Sequence, residues 1–235
     1  ASGVWPTPTS YACIPDLLST LSLWRNMYTV CWSPKGGSGT TVVASAIALR
    51  HQEPHTLIDL AGDLPAVLGL DDGGRGIRDA LADDTTITDL HHLATPINEH
   101  QSLIRRGTAV TVPPHRWHEC ALHFASNGSY TIDAGTVTSP DDIPMPLLQH
   151  ADQRLIVLRP CYLALRRARL TSHFNPDGII LIDEPGRALS AHDVASCLDT
   201  PVIAQIPCDP RVARAVDAGL LSVRPPRSLD PLSRL

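Results

Sequence analysis

With 235 residues, 43% of them hydrophobic and 18% charged, the chain can build one sizeable α/β core or at most two small domains, and wholesale disorder is excluded. Its 19 basic and 24 acidic side chains leave a formal charge of −5, so the whole-molecule field does not mark a dedicated nucleic-acid binder. Cys13, Cys31, Cys120, Cys161, Cys197 and Cys208 are scattered without a C-x-x-C pair; this argues against a disulfide framework or zinc cage and points to a reducing cytoplasm.

Residues 1–27 mix Pro, Ser and Thr with a short apolar patch, Leu17 to Trp24. They read as an arm or linker, docking of the patch as a short helix being the alternative. From residue 28 short apolar, β-branched runs alternate with helical patterns, which predicts βαβ units and a mostly parallel sheet. The strands are expected at Tyr28–Trp32, Thr56–Asp59, Tyr130–Asp133, Leu155–Leu158, Ile179–Ile182 and Val202–Ile206. Helices are expected near 40–51, 64–69, 75–81, 114–125, 143–151, 160–171, 188–197 and 210–219, and 98–112 stays ambiguous, with room for another short strand. One domain over 28–222 is the economical reading. Residues 223–235 read as a flexible Pro/Arg tail, too proline-broken for an amphipathic membrane helix. No apolar run approaches the roughly 18 to 20 residues needed to cross a bilayer, so no integral membrane segment is expected.

The first strand runs into Ser33-Pro34-Lys35-Gly36-Gly37-Ser38-Gly39-Thr40-Thr41, and a helix follows at once. Glycines let successive N–H groups turn towards one point, and a helix N-terminus adds partial positive charge, so strand, loop and helix together can cradle phosphate. Thr41 stands where a phosphate loop places its Mg²⁺-holding hydroxyl. Pro34 replaces the first Gly of G-x-x-x-x-G-K-[ST], and Thr40 replaces its Lys. A Lys–phosphate attraction at close range reaches about 4 kcal/mol at an effective dielectric near 20, so its loss weakens binding by up to roughly a thousandfold. Lys35, the only lysine in the chain, offers partial replacement.

The run Lys35-Gly36-Gly37-Ser38-Gly39-Thr40-Thr41 resembles the deviant Walker A loop of the MinD/ParA class of P-loop ATPases. The resemblance implies a mostly parallel twisted sheet with helices on both faces, and ATP and Mg²⁺ as cofactors. It implies that Lys35 acts catalytically, reaching across a nucleotide-sandwich homodimer to the partner's phosphates, while Gly36 to Thr41 hold phosphate in their own chain. Thr40 departs from the family's second lysine. Thr56-Leu57-Ile58-Asp59-Leu60-Ala61-Gly62-Asp63 and the residues to Leu70 resemble the second strand and first switch, particularly of CpaE-like and actinobacterial MinD-like members. Asp59 is thereby implied as a cofactor-site residue. The family's second acidic residue, which positions the attacking water, is Ala61 here; Asp63 is expected to cap the helix at Leu64 or, by a bulge, to take the water-positioning role.

Tyr130-Thr131-Ile132-Asp133-Ala134-Gly135-Thr136 resembles the Walker B strand end and second switch, with Asp133 expected beside Thr41 at the metal. Ile179–Arg187 and Ile206–Gly219 resemble the base-side strand ends. Asp183 and Glu184 occupy the region of the family's adenine-reading Asn, and Pro207 and Asp209 are candidate base contacts, helix capping by Asp209 being the alternative. Arg166 and Arg169 share a helix face, and contact with DNA phosphates is the alternative there to a solvated face. His91-His92, His115/His118 and His51/His55 join no ligand set at metal-site spacing and read as surface or core residues. Two functions remain. One is an ATP-dependent positioning or assembly switch with weak hydrolysis. The other is a degenerate, non-hydrolysing scaffold working through protein partners in division, partition or pilus/secretion assembly.

Overall fold

A computed structural model of the protein describes residues 26–83 and 85–235. Its strands are β1 (Tyr28–Ser33), β2 (His55–Asp59), β3 (Thr95–Pro96), β4 (Gln101–Ile104), β5 (Ser129–Thr136), β6 (Gln153–Leu158), β7 (Gly178–Asp183) and β8 (Val202–Pro207). The helices are α1 (Thr40–Ala48), α2 (Leu64–Leu68), α3 (Ile77–Ala82), α4 (Pro114–Ser126), α5 (Met145–Gln149), α6 (Tyr162–Leu170), α7 (Ala191–Leu198) and α8 (Pro210–Asp217). The strands form one sheet in the order β3-β4-β2-β5-β1-β6-β7-β8. Every neighbouring pair is parallel except the edge pair β3–β4.

Alternating side chains along each strand feed two separate cores. Val30, Trp32, Ile156 and Leu158 face the layer that holds α3 to α7, while Cys31, Leu155 and Val157 face the layer of α1 and α2. This covering of both faces explains why the central strands read as continuous apolar runs. All six residues of β1 are buried. From β1 the chain moves to one side through β2, then returns through β5 and crosses to β6 on the other side. The carboxyl end of β1 is thus a topological switch point, where open parallel sheets leave a crevice for ligands.

The ambiguous stretch 98–112 contains β4, and β3 precedes it; a four-residue strand with two apolar positions carries too little period-2 signal to be read alone. Pro96 is tolerated because β3 is an edge strand. A larger correction concerns residues 223–235. They are not a loose tail: Arg227–Arg234 forms a 3₁₀ segment whose Leu229 and Leu232 are each 1% exposed in the α1-side core. Asp230 pairs with Arg50 at 2.8 Å. The prolines break an α-helix but not a 3₁₀ turn, and two leucines three residues apart eclipse on one side of it. Of the arm expected over 1–27, only Asn26 and Met27 lie among the described residues; the rest, including Leu17 to Trp24, lies outside them. Among the described residues no helix is long and apolar enough to cross a membrane.

Candidate functional site

β1 turns through Pro34 to Gly39 directly into α1. Gly37 (φ 75°) and Gly39 (φ 91°) are left-handed, and a Cβ on either would meet open space, so the backbone conformation itself calls for glycine here. The hydroxyls of Ser33 and Ser38 donate to the Lys35 carbonyl at 2.5 and 2.7 Å, and the Lys35 N–H donates to Ser33 Oγ at 3.1 Å. These bonds hold the loop's shape. No side chain caps α1, which leaves its first amides available to an anion.

Gly37 to Thr41 line a cleft of ≈ 680 Å³, faced by Ala61, Asp63, Gly135 and Thr136. On its other side the loop borders a smaller, mainly apolar cleft of ≈ 270 Å³, walled by Ile182, Ile206, Pro207, Asp209 and Leu229. Ser38, Gly39 and Val42 belong to both walls. A compartment richer in polar groups, the polar one, and a mainly apolar one therefore meet over the glycine loop. Another cavity, ≈ 900 Å³ between α6 and α7, lies apart from the loop; Arg166 and Arg169 line it together with Arg187.

Two carboxylates sit under the polar compartment. Asp59, at the end of β2, and Asp133, within β5, are register partners, and neither is exposed. Asp59 accepts from the Gly62 N–H at 2.6 Å and the Leu64 N–H at 3.3 Å. Asp133 Oδ1 accepts from the Gly135 N–H at 3.0 Å, while Oδ2 is buried with no hydrogen-bond partner. Burial pushes Asp133 up to about 7 against the opposing pull of the Thr41 hydroxyl, and the nearby Asp59 adds to the rise. Burial likewise pushes Asp59 to about 6, resisted by the Gly62 and Leu64 amides. A partnerless buried carboxylate oxygen costs free energy in the unliganded protein. It is the kind of group a hydrated divalent cation would satisfy, so the residues present fit magnesium.

The predicted residues divide into those on the cleft walls and those elsewhere. Gly37, Ser38, Gly39, Thr40 and Thr41 line the polar compartment; Pro207 and Asp209 line the apolar one. Thr40 is only 7% exposed, so the helix position that would carry a lysine brings no charge. Lys35 is half-buried and is not on either wall of its own chain, and the same holds for the exposed Gly36. Asp59 and Asp133 are also off the walls, Asp59 being spent on the turn that follows β2. That turn corrects one expectation: Asp63 makes no side-chain cap on α2, and Asp59 Oδ2 takes the Leu64 amide instead. Asp63 faces the polar compartment. Asp209 does cap α8, accepting from the Arg211 N–H at 2.8 Å, while also lining the apolar cleft.

Two cationic residues on these walls carry no motif. Arg159, just after β6, lines the apolar compartment and pairs with Glu184, which also pairs with Arg187. Asp183 and Glu184 themselves are off that wall; the Asp183 carbonyl takes the Cys208 N–H at 2.7 Å. Arg106, just after β4, lines the polar compartment. Position at the carboxyl end of a parallel strand is the signal that finds both, but β4 was itself ambiguous.

No family model and no curated protein sequence matches the chain. Solved structures do. A ParA family ATPase from Chlorobium tepidum TLS superposes with a TM-score of 0.73 at 19% identity, over 89% of this chain and 97% of that one. The septum site-determining protein MinD complexed with Mg-ADP from Pyrococcus horikoshii OT3 gives 0.71 at 18% identity, over 88% and 93%. A variant of Cyanothece McdA in complex with ATP gives 0.64 at 18% identity, over 88% and 94%. The chain has the fold of the MinD/ParA P-loop proteins.

Proposed function

We propose that the protein is a nucleotide-binding switch of the MinD/ParA kind, which takes Mg-ATP with weak or no hydrolysis and works in spatial positioning or assembly. The observation that carries this reading is the meeting of a polar and an apolar cleft over one glycine loop, with the partnerless Asp133 oxygen under the polar side. In this reading the α1 amides and Gly37 to Thr41 hold phosphates, Pro207 and Val42 flank the base, and Thr41 and Asp133 hold magnesium, which supplies charge neutralisation when bound. Lys35, absent from its own chain's cleft walls, serves the partner's phosphates in a homodimer. The similar structures support the reading by their own ligands and partners: one is MinD with Mg-ADP, another McdA with ATP, a third a MinC:MinD complex.

Ala61 removes the group that would position an attacking water, and Thr40 removes a phosphate charge. These two favour, as a second reading, a degenerate CpaE-like scaffold that acts through protein partners without turnover. Calorimetric titration of Mg-ATP, with Mg-ADP beside it, separates the two. Micromolar binding supports the switch; no heat and no thermal shift at high ligand concentration leaves the scaffold.

A further inference from the structure

Thr40 brings no charge to the start of α1 and Lys35 is off the cleft wall, yet the polar cleft has a cation. Among the described residues on its wall, Arg106 alone is positively charged. It follows β4, which runs parallel to β2, so the strand delivers it to the carboxyl end of the sheet, the end at which the glycine loop stands. Arg106 Nη1 donates to the Ala61 carbonyl at 3.3 Å. Arg106 makes no ion pair among the described residues. Of the five guanidinium N–H donors, that one long bond engages only one. The neighbouring Arg105 is spent elsewhere, donating to the Asp71 carbonyl at 2.8 Å and the Thr95 hydroxyl at 2.5 Å. Asp133, buried immediately before the wall residues Ala134, Gly135 and Thr136, has an oxygen without a partner, an independent sign of a ligand site at this end of the sheet.

We infer that Arg106 binds the terminal phosphates of the nucleotide, standing in for the lysine that Thr40 replaces. Through its bond to Ala61 it also ties phosphate occupancy to the loop at 60–63. This rests on the nucleotide reading of the site given above. A guanidinium suits the task because its planar fork takes two phosphate oxygens at once and keeps donors over for the Ala61 carbonyl. Ala61 and Arg106 line only the compartment away from the apolar one that takes the base, hence the terminal-phosphate end, so Arg106 discriminates ATP from ADP.

The test is calorimetry of Mg-ATP and Mg-ADP on the full chain and on Arg106→Ala, Arg106→Lys and the charge control Arg105→Ala, with unliganded thermal melts of each. Arg106→Ala is expected to weaken ATP by roughly ten- to a hundredfold and ADP by less. Arg106→Lys recovers part of the loss, and Arg105→Ala leaves both affinities unchanged. If Arg106→Ala does not melt cooperatively, Arg106→Gln carries the same comparison. Wild-type ATP binding that survives unchanged in Arg106→Ala, or falls equally for ATP and ADP, overturns the role of Arg106 alone. Absence of ATP binding by the wild type overturns the nucleotide reading itself, and Arg106's role with it.

Discussion

Replacing Asp133 by Asn should stabilise the unliganded protein in neutral and alkaline solution while destroying its response to Mg-ATP. In the native state burial carries this carboxyl from 3.8 to about 7. Because the folded value is raised, the native state holds the proton more tightly than the unfolded chain, and stability falls as pH rises through that window. At about 1.4 kcal/mol per pH unit, the ionised side chain costs about 4 kcal/mol above neutrality and below about 1 kcal/mol near pH 4. Asn escapes that pH-dependent cost. It places an amide where Oδ2 has no partner, which costs about 1–3 kcal/mol at any pH. The net gain near pH 8 is therefore about 1–3 kcal/mol, turning to neutral or unfavourable near pH 4. Relief of Asp59, its register partner, acts in the same direction. Urea unfolding of both proteins across this range, with and without Mg-ATP, measures the difference directly. A difference between mutant and wild type that does not change with pH would refute the reasoning, as would a mutant still stabilised by Mg-ATP to the wild-type extent.

His55 produces an opposing pH limb. Burial lowers it from 6.5 to about 3, so its contribution is complete above about 6.5 and is lost as pH falls; His55→Gln should flatten the acid side of the stability profile by about 3 kcal/mol between neutrality and about pH 4. Lys35→Ala should abolish nucleotide-dependent dimerisation in light scattering without lowering the unliganded melting temperature; an unchanged dimer removes the trans role of Lys35. Thr40→Lys combined with Ala61→Asp should raise phosphate release, and no gain would mean that the site lacks more than those two groups. Leu232→Ala should destabilise the fold by about 2–5 kcal/mol, because the side chain is buried against the α1 layer. A loss below about 0.5 kcal/mol would return the segment to the status of a tail.

Among the described residues, the local alternation of β-branched runs and helical patterns determined six of the eight strands and the sites of all eight α-helices, since buried parallel strands advertise themselves by apolarity alone. The glycine loop was equally legible, because strand, left-handed glycines and helix start are contiguous in the chain. Asp133 was readable as a strand-end acid. Its missing partner was not, for that depends on β2 bringing Asp59 alongside it from 74 residues away in sequence. Thr40 and Ala61 announced what the loop lacks, but nothing local says where a replacement charge stands. Arg106 lines the glycine-loop cleft only because β4 pairs with β2 and β2 with β5, a consequence of sheet order. The C-terminal segment makes the same point about packing: prolines tell where an α-helix cannot continue, whereas the burial of Leu229 and Leu232 depends on the apolar surface that α1 and β8 leave uncovered. Contiguous chemistry is written along the chain, and charge placed across strands is decided by the fold.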